Sequence, residues 1–447
     1  MSPRDLASYN SPEMTVKPPS SRVGLTDLAW IFLRIGLASF SLAALGETKT
    51  WVTRKRKWFT DDEYMQGLAL AQLLPGAPTV NLSSYLGFRL RGLPGAIAAT
   101  VSFLVPCFLL MLVLSHLYLR YGEVRAVSGL FRGLGALVVG LVLNTLLNLW
   151  KSGVRTPFHG LMALAGFALV FWLKLGIIRI LLIAGAASLA VTLLGSRLPA
   201  VSRLNTSWGA LLGLSPDPHH GPDGMPQGAA PRPTGEQASI CSQQPLPLSW
   251  RKIAALLGWL GLIVAVDLAL IRLRPDFLAM GASFLRIGAL TFGSGYAMLP
   301  FIQDTVVTQF GWLTDQQFAV ALALSLITPG PVTIIGAFIG YKVGGPLGAL
   351  AGVVNMYFPA WALTAIVAAP YAKAGRVPGA RQVIGGIVAA FIGTLMVVLI
   401  RLCVGTIVDM PALAMAAAAF LLQRFAKRVD TVWIVLGGAI ISLVVFR

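Results

Sequence analysis

Three stretches of the chain, Ala98 to Leu119, Pro346 to Ala372 and Gln382 to Ile400, run without a charged side chain. At about 1.5 Å of rise per residue, some twenty apolar residues cross a hydrocarbon core of roughly 30 Å, so these stretches are expected to be transmembrane helices. The composition agrees, with 56% of residues apolar and 12% charged, too little polar surface for a soluble fold of this size. The first two dozen residues carry Pro3, Pro12, Pro18 and Pro19 and lack the charged, apolar and small-residue order of a cleavable signal, so the first helix is expected to direct insertion. The net charge of +18 sits mainly in Lys and Arg between the hydrophobic segments, the pattern of cytoplasmic loops, which argues against nucleic acid as a partner. Attraction of an anionic substrate is its second reading. Cys107, Cys241 and Cys403 are far apart and have no metal-ligand spacing, so neither a metal site nor a disulfide framework is expected.

The chain is also an internal duplication. The sequence Phe-Leu-Arg-Ile-Gly occurs at Phe32 to Gly36 and again at Phe284 to Gly288. The first copy is followed by Trp58-Phe59-Thr60, then Ala69-Leu70-Ala71 leading to Pro75-Gly76-Ala77-Pro78, then Gly87, Gly92 and Gly95. The second is followed by Trp312-Leu313-Thr314, then Ala323-Leu324-Ser325 leading to Thr328-Pro329-Gly330-Pro331, then Gly340, Gly345 and Gly348. In a membrane chain such a duplication points to a transporter, because two pseudo-symmetric halves can rock about a shared midplane site.

The expected fold is an all-α polytopic membrane protein of two homologous repeats. A polar tail over 1–23 precedes the first repeat at 24–195, and a Pro, Gly, Gln and Ser-rich linker over 196–251, unable to bury a core, follows it. A linking apolar helix over 252–274 then leads into the second repeat at 275–447. Two signals disagree on orientation. Lys49, Arg54, Lys55, Arg56 and Lys57 follow the first repeat's opening helix, whereas the matching Pro300 to Gly311 carries Asp304 and no basic residue, which makes the repeats inverted. Counting spans makes them parallel if Ile253 to Ile271 crosses the bilayer. The loop charges are given the greater weight.

Each repeat carries two short helices around its Pro-Gly break, Asp61 to Leu74 with Thr79 to Leu90, and Asp315 to Ile327 with Val332 to Val343. Each is too short to cross easily, so a re-entrant hairpin with its tip inside the protein is expected. Thr60 with Glu63 and Thr314 with Gln317 have the spacing of a capping box. At the tips the prolines remove amide donors and end the first short helix, and the second begins with Pro near its first turn. Its amino terminus then offers unpaired amides and the positive end of a helix dipole, a place for an anion. The candidate binding residues there are Pro75, Gly76, Pro78, Thr79 and Asn81 in one half, and Thr328, Pro329, Gly330, Pro331 and Thr333 in the other. The bland alternative is a tight packing turn.

Arg34 and Arg286 occupy equivalent places about nine or ten residues into apolar helices, where a charge must snorkel, pair or face water. If they face water, their planar guanidiniums suit an oxyanion. The second half adds Gly293, Ser294 and Gly295, whose flexible backbone would turn amides towards a ligand; the first half has Ser41-Leu42-Ala43 there. Carboxylates inside the spans are nearly absent, which favours an anion over a cation. Nothing resembles a nucleotide-binding loop, a catalytic triad or a cofactor motif, so an enzyme is not expected.

With the two Trp-X-Thr starts, the Ala-Leu-Ala runs ending in Pro-Gly, the Phe292-Gly293-Ser294-Gly295 segment and the duplication, the chain resembles the chromate transporter family in its long, two-repeat form. The resemblance covers both repeats and omits the tail and linker. It implies a multi-pass protein of the bacterial inner membrane that exports chromate, with sulfate competing, and confers chromate resistance; membrane lipid and a homodimer are the expected partners. The first repeat departs from the family pattern by lacking Phe-Gly-Gly and by having Pro-Gly-Ala-Pro at its tip. A passive anion channel and a transporter of another anion such as sulfate are the alternatives.

Overall fold

The computed structural model describes residues 23–38, 43–122, 124–195, 250–270, 275–290, 295–374, 380–426, 429 and 431–446. The expected polar tail up to residue 22 and the linker over 196–249 lie outside the described residues, within which there is no strand. The first repeat comprises α1 (Leu25–Ala38), α2 (Ala43–Lys49), α3 (Asp61–Leu73), α4 (Pro78–Tyr121), α5 (Arg125–Gly153), α6 (Pro157–Phe171) and α7 (Ile177–Gly195). After the linking helix α8 (Trp250–Leu270), the second comprises α9 (Asp276–Leu290), α10 (Leu299–Gln303), α11 (Asp315–Ile327), α12 (Ile335–Ala374), α13 (Ala380–Thr406), α14 (Met410–Phe425) and α15 (Thr431–Val445). α1 is described as far as Ala38 and α9 as far as Leu290, and Pro300 lies in the first turn of the short helix α10.

The repeated Phe-Leu-Arg-Ile-Gly is a packing motif. Phe32, Ile35 and Gly36 of α1 are buried, as are Phe284, Ile287 and Gly288 of α9, at the one-face spacing of a helix. The glycines allow backbone contact: a Cβ on Gly36 would meet the Phe103 carbonyl oxygen of α4 at 2.5 Å, and one on Gly288 would overlap the Met356 carbonyl of α12. Arg34 and Arg286 consequently point away from these contacts.

Both hairpin starts form as expected. The Thr60 hydroxyl accepts from the Glu63 amide at 3.2 Å and the Glu63 carboxylate accepts from the Thr60 amide at 2.9 Å, with Thr314 and Gln317 paired likewise at 3.1 and 3.2 Å. α4 and α12 each consist of two helical limbs that double back at a non-helical pair. These pairs are Arg91 (φ −139°) with Gly92 (φ 64°), and Gly344 (φ −146°) with Gly345 (φ 63°). Backbone contacts fold each limb onto the next, Gly87 against Gly95 and Gly340 against Gly348. The long spans proper are therefore the limbs after Pro94 and Pro346, close to the expected boundaries.

The halves interlock. α5 packs on α14 and α15 of the other repeat, and α13 on α6 and α7. The closest approaches are reciprocal, Gly140 against the Ala416 carbonyl and Gly393 against that of Ala163, two pairs of equivalent positions. The equivalent helices α5 and α13 run antiparallel: Gly135 faces Thr406, 3.2 Å from where its Cβ would lie, and Gly153 faces Ile392 at 2.6 Å. Antiparallel equivalents are what inverted repeats require, so the loop charges point the right way and the parity count does not. Among the described residues four helices are long and apolar enough to cross a membrane, and large apolar side chains such as Leu109, Val113, Leu164, Leu182 and Ile440 are exposed, as lipid-facing residues are. The chain is a two-repeat, all-helical membrane protein.

The symmetry also exposes one strained residue. Equivalent π-helical turns, Thr50–Lys55 and Asp304–Gln309, are each followed by a left-handed residue, Lys57 (φ 52°) and Gly311 (φ 62°). Lys57→Gly should relieve about 1 kcal/mol of left-handed strain; a higher melting temperature in detergent is expected, and an unchanged or lower one would refute it.

Candidate functional site

The first hairpin closes by antiparallel contacts that step evenly towards its tip. Glu63 faces Arg89 at 3.8 Å, Gly67 lies under the Tyr85 ring, and the Asn81 amide nitrogen donates to the Ala71 carbonyl at 3.1 Å and the Pro75 carbonyl at 2.9 Å. Chain that enters as α3 thus returns along the first limb of α4. Asn81 binds carbonyls that the end of α3 would otherwise leave open. Its oxygen is buried without a partner.

Both tips turn through a left-handed glycine, Gly76 at φ 99° and Gly330 at φ 118°. Each is lodged against the long span of the other repeat. A Cβ on Gly76 would overlap the Ala360 side chain, and one on Gly330 would lie 2.9 Å from the Cys107 sulfur. Ala360 and Cys107 are equivalent positions, each near the middle of the limb that follows Pro346 or Pro94. A helix of thirteen residues is roughly 20 Å long, enough to carry a tip to mid-depth.

The tips differ in their hydrogen bonds. In the second, the Thr328 hydroxyl donates to the Ser325 carbonyl at 2.9 Å, and the hydroxyls of Thr333 and Tyr357 are 2.7 Å apart. Thr328, Pro329, Gly330, Pro331 and Thr333 are all buried, and Gly295 adjoins Thr333. In the first, Pro75, Gly76 and Asn81 are buried, but Pro78 and Thr79 keep partial access. Two side-chain donors expected to face a ligand are engaged within the protein, Asn81 on the Ala71 carbonyl of α3 and Thr333 with Tyr357, and the nearby Ser83 hydroxyl is bonded to the Thr79 carbonyl at 2.8 Å. The groups left to meet an anion are the Thr79 hydroxyl and the first amides of the two limbs, since those of Val80 and Asn81 already donate to the Ala77 carbonyl and that of Ile334 to the Pro331 carbonyl.

Other expected site residues are dispersed. Gly293 and Ser294 lie outside the described residues. Arg34 is exposed, with its guanidinium 5.0 Å from the centre of the Trp30 ring and 6.0 Å from that of Trp51. Arg286 is exposed too, but opens onto a polar cavity of about 250 Å³ with Arg179, Asp304 and Gln309. The two arginines match in sequence and differ in surroundings. Asp267, on α8, is buried and accepts from the Asn355 amide at 3.1 Å, tying the linking helix to α12. Sequence reasoning missed Tyr357, Cys107, Ala360 and Arg179, since contacts made across the repeats leave no local spacing to read.

The family model for chromate transporters matches residues 26–190 and 278–443, one region in each repeat. A chromate transport protein of Cupriavidus metallidurans is 30% identical over 424 residues, 94% of this chain and 93% of the relative. A probable chromate transport protein of Synechococcus elongatus is 28% identical over 432 residues, 94% and 95% of the two chains. A chromate transport protein of Pseudomonas aeruginosa is 27% identical over 440 residues, 93% and 91%. No solved structure matches at a significant level.

Two substitutions test the tips. Asn81→Leu leaves the Ala71 and Pro75 carbonyls without their donor, so a loss of about 1–3 kcal/mol is expected in thermal unfolding in detergent; wild-type melting would show that the bonds contribute nothing. Gly330→Ala forces a side chain into a strained backbone and against Cys107, and should cost about 1–3 kcal/mol. Melting and vesicle flux both at wild-type levels would mean that the tip is not held tightly.

Proposed function

The chain belongs to the chromate transporter family, and from that premise we propose that it exports chromate across the bacterial inner membrane, with sulfate-like oxyanions competing. The observation that carries this reading is the reciprocal seating of Gly76 on Ala360 and of Gly330 on Cys107. It puts two helix starts near mid-depth at the meeting of inverted repeats, where a single site can be opened to either side by rocking one repeat against the other.

Chromate is a tetrahedral dianion, and a site built from amides suits it because no carboxylate opposes its charge. The amides of the chain around Pro75, Gly76, Pro78 and Thr79, and around Thr328, Pro329, Gly330, Pro331 and Thr333, are the proposed ligands, with Asn81 holding the first tip in shape. Gly295 adjoins the second tip, and Gly293 and Ser294 precede it in sequence. Arg286 brings positive charge to one face. Arg34, at the equivalent position of an inverted repeat, brings it to the opposite face.

Expression in a chromate-sensitive bacterium should raise tolerance and lower intracellular chromate; if neither changes, export of chromate is wrong. In proteoliposomes, sulfate should inhibit chromate flux, and counter-ion gradients should drive accumulation. Flux that only runs downhill would identify a passive channel.

A further inference from the structure

Arg286 shares its cavity with a residue that no motif singled out. Arg179, in the first turn of α7 in the first repeat, opens onto the same space of about 250 Å³ as Ser283, Arg286, Asp304, Thr305 and Gln309 of the second. The cavity therefore spans the two repeats. Among the described residues neither guanidinium has a carboxylate within salt-bridge distance; the ion pairs formed are Lys49 with Asp61, Arg89 with Glu63, and Arg132 with Asp409. Two unneutralised guanidiniums facing one space repel each other, and the arrangement is eased when an anion enters.

We propose that this cavity is a loading site for a divalent oxyanion, and that the dianion binds there together with one proton taken up by Asp304. The proposal rests on the oxyanion reading above and gives that anion a second, more peripheral station. The charges decide its form. Arg179 and Arg286 together balance a dianion, and an ionised Asp304 on the same wall adds a negative charge that Arg401, which lies outside the cavity lining on α13, offsets only in part. Protonation of Asp304 restores the balance. Its carboxylate accepts from the Gln309 side-chain amide at 2.8 Å, a bond that a neutral carboxyl can keep through its carbonyl oxygen.

The charged groups around Asp304 are few. Arg179 comes from α7 and Arg286 from α9; α10 contributes none. From α13, Arg401 donates to the Thr308 hydroxyl at 2.8 Å on the same π-helical turn, and Asp315 of α11 is held by the Gln303 amide at 2.7 Å. The equivalent place in the first repeat is occupied by Arg34 over Trp30 and Trp51, and by Lys55 at 3.8 Å from the centre of the Trp51 ring, with Thr50 where Asp304 stands. The site is thus a property of one face of the transporter only.

Sulfate is the probe for the pH arm because it stays divalent across the working range. In proteoliposomes the KM for wild-type sulfate uptake should rise as pH rises, while Arg179→Gln raises KM by about tenfold, the scale of one charged hydrogen bond, with little change in kcat. Asp304→Asn mimics the protonated acid and should lower KM at alkaline pH and flatten its pH dependence. Improved binding is an outcome that misfolding cannot imitate. Arg120→Gln, an exposed arginine at the end of α4, should leave KM unchanged. A wild-type KM in Arg179→Gln, weaker binding in Asp304→Asn, or a wild-type KM independent of pH would each overturn the proposal. If the wild type takes up sulfate but not chromate and both variants respond as stated, the loading site stands and chromate export falls; uptake of neither anion overturns both.

Discussion

A Pro-Gly break inside a membrane protein leaves backbone amides and carbonyls without helical partners, and lipid cannot supply any. The rest of this structure follows from the need to keep two such breaks covered. Each tip is buried against the middle of the other repeat's long span, so neither repeat can be complete without its neighbour. The crosswise packing of α5 on α14 and α15, and of α13 on α6 and α7, holds the long spans where the tips need them. Close approach depends on glycine throughout: Gly36, Gly87, Gly140, Gly288, Gly340 and Gly393 each touch backbone of a neighbouring limb or helix.

The two halves share this frame and differ in what they hang on it. The first tip is held by Asn81 reaching back to α3, whereas the second has Ile334 at that position and relies on the Thr333 and Tyr357 hydroxyl pair. The first repeat sets its exposed arginine over the Trp30 ring, and the second opens its arginine onto a polar cavity. An inverted protein with equal halves would present the same site to both sides of the membrane. Unequal halves present different surfaces to the two sides of the membrane.

Much of this was legible in the chain. The capping boxes placed the starts of α3 and α11, since Thr60 with Glu63 and Thr314 with Gln317 are local pairs that form wherever the helix begins. The Pro-Gly tips and the ends of the short helices near Leu90 and Val343 were visible, whereas the left-handed turns at Gly92 and Gly345 were marked only as matching glycines of the duplication. The Phe-Leu-Arg-Ile-Gly repeat was legible as duplication, but the emphasis on its arginine was incomplete: Phe, Ile and Gly make the shared contact with the long span, and the two arginines diverge.

What the sequence by itself determined is the set of elements, namely long apolar spans, short helices broken at Pro-Gly and a duplication of the whole. These follow from hydrophobicity, local hydrogen bonding and allowed backbone angles, all of which act over a few residues. Only the tertiary structure decided that the equivalent helices α5 and α13 run antiparallel, that Gly76 meets Ala360 while Gly330 meets Cys107, and that Arg179 joins Arg286. Those pairings are made between residues far apart in the chain. They depend on which surfaces fit once the spans are side by side, a matter of packing between elements that no short spacing records.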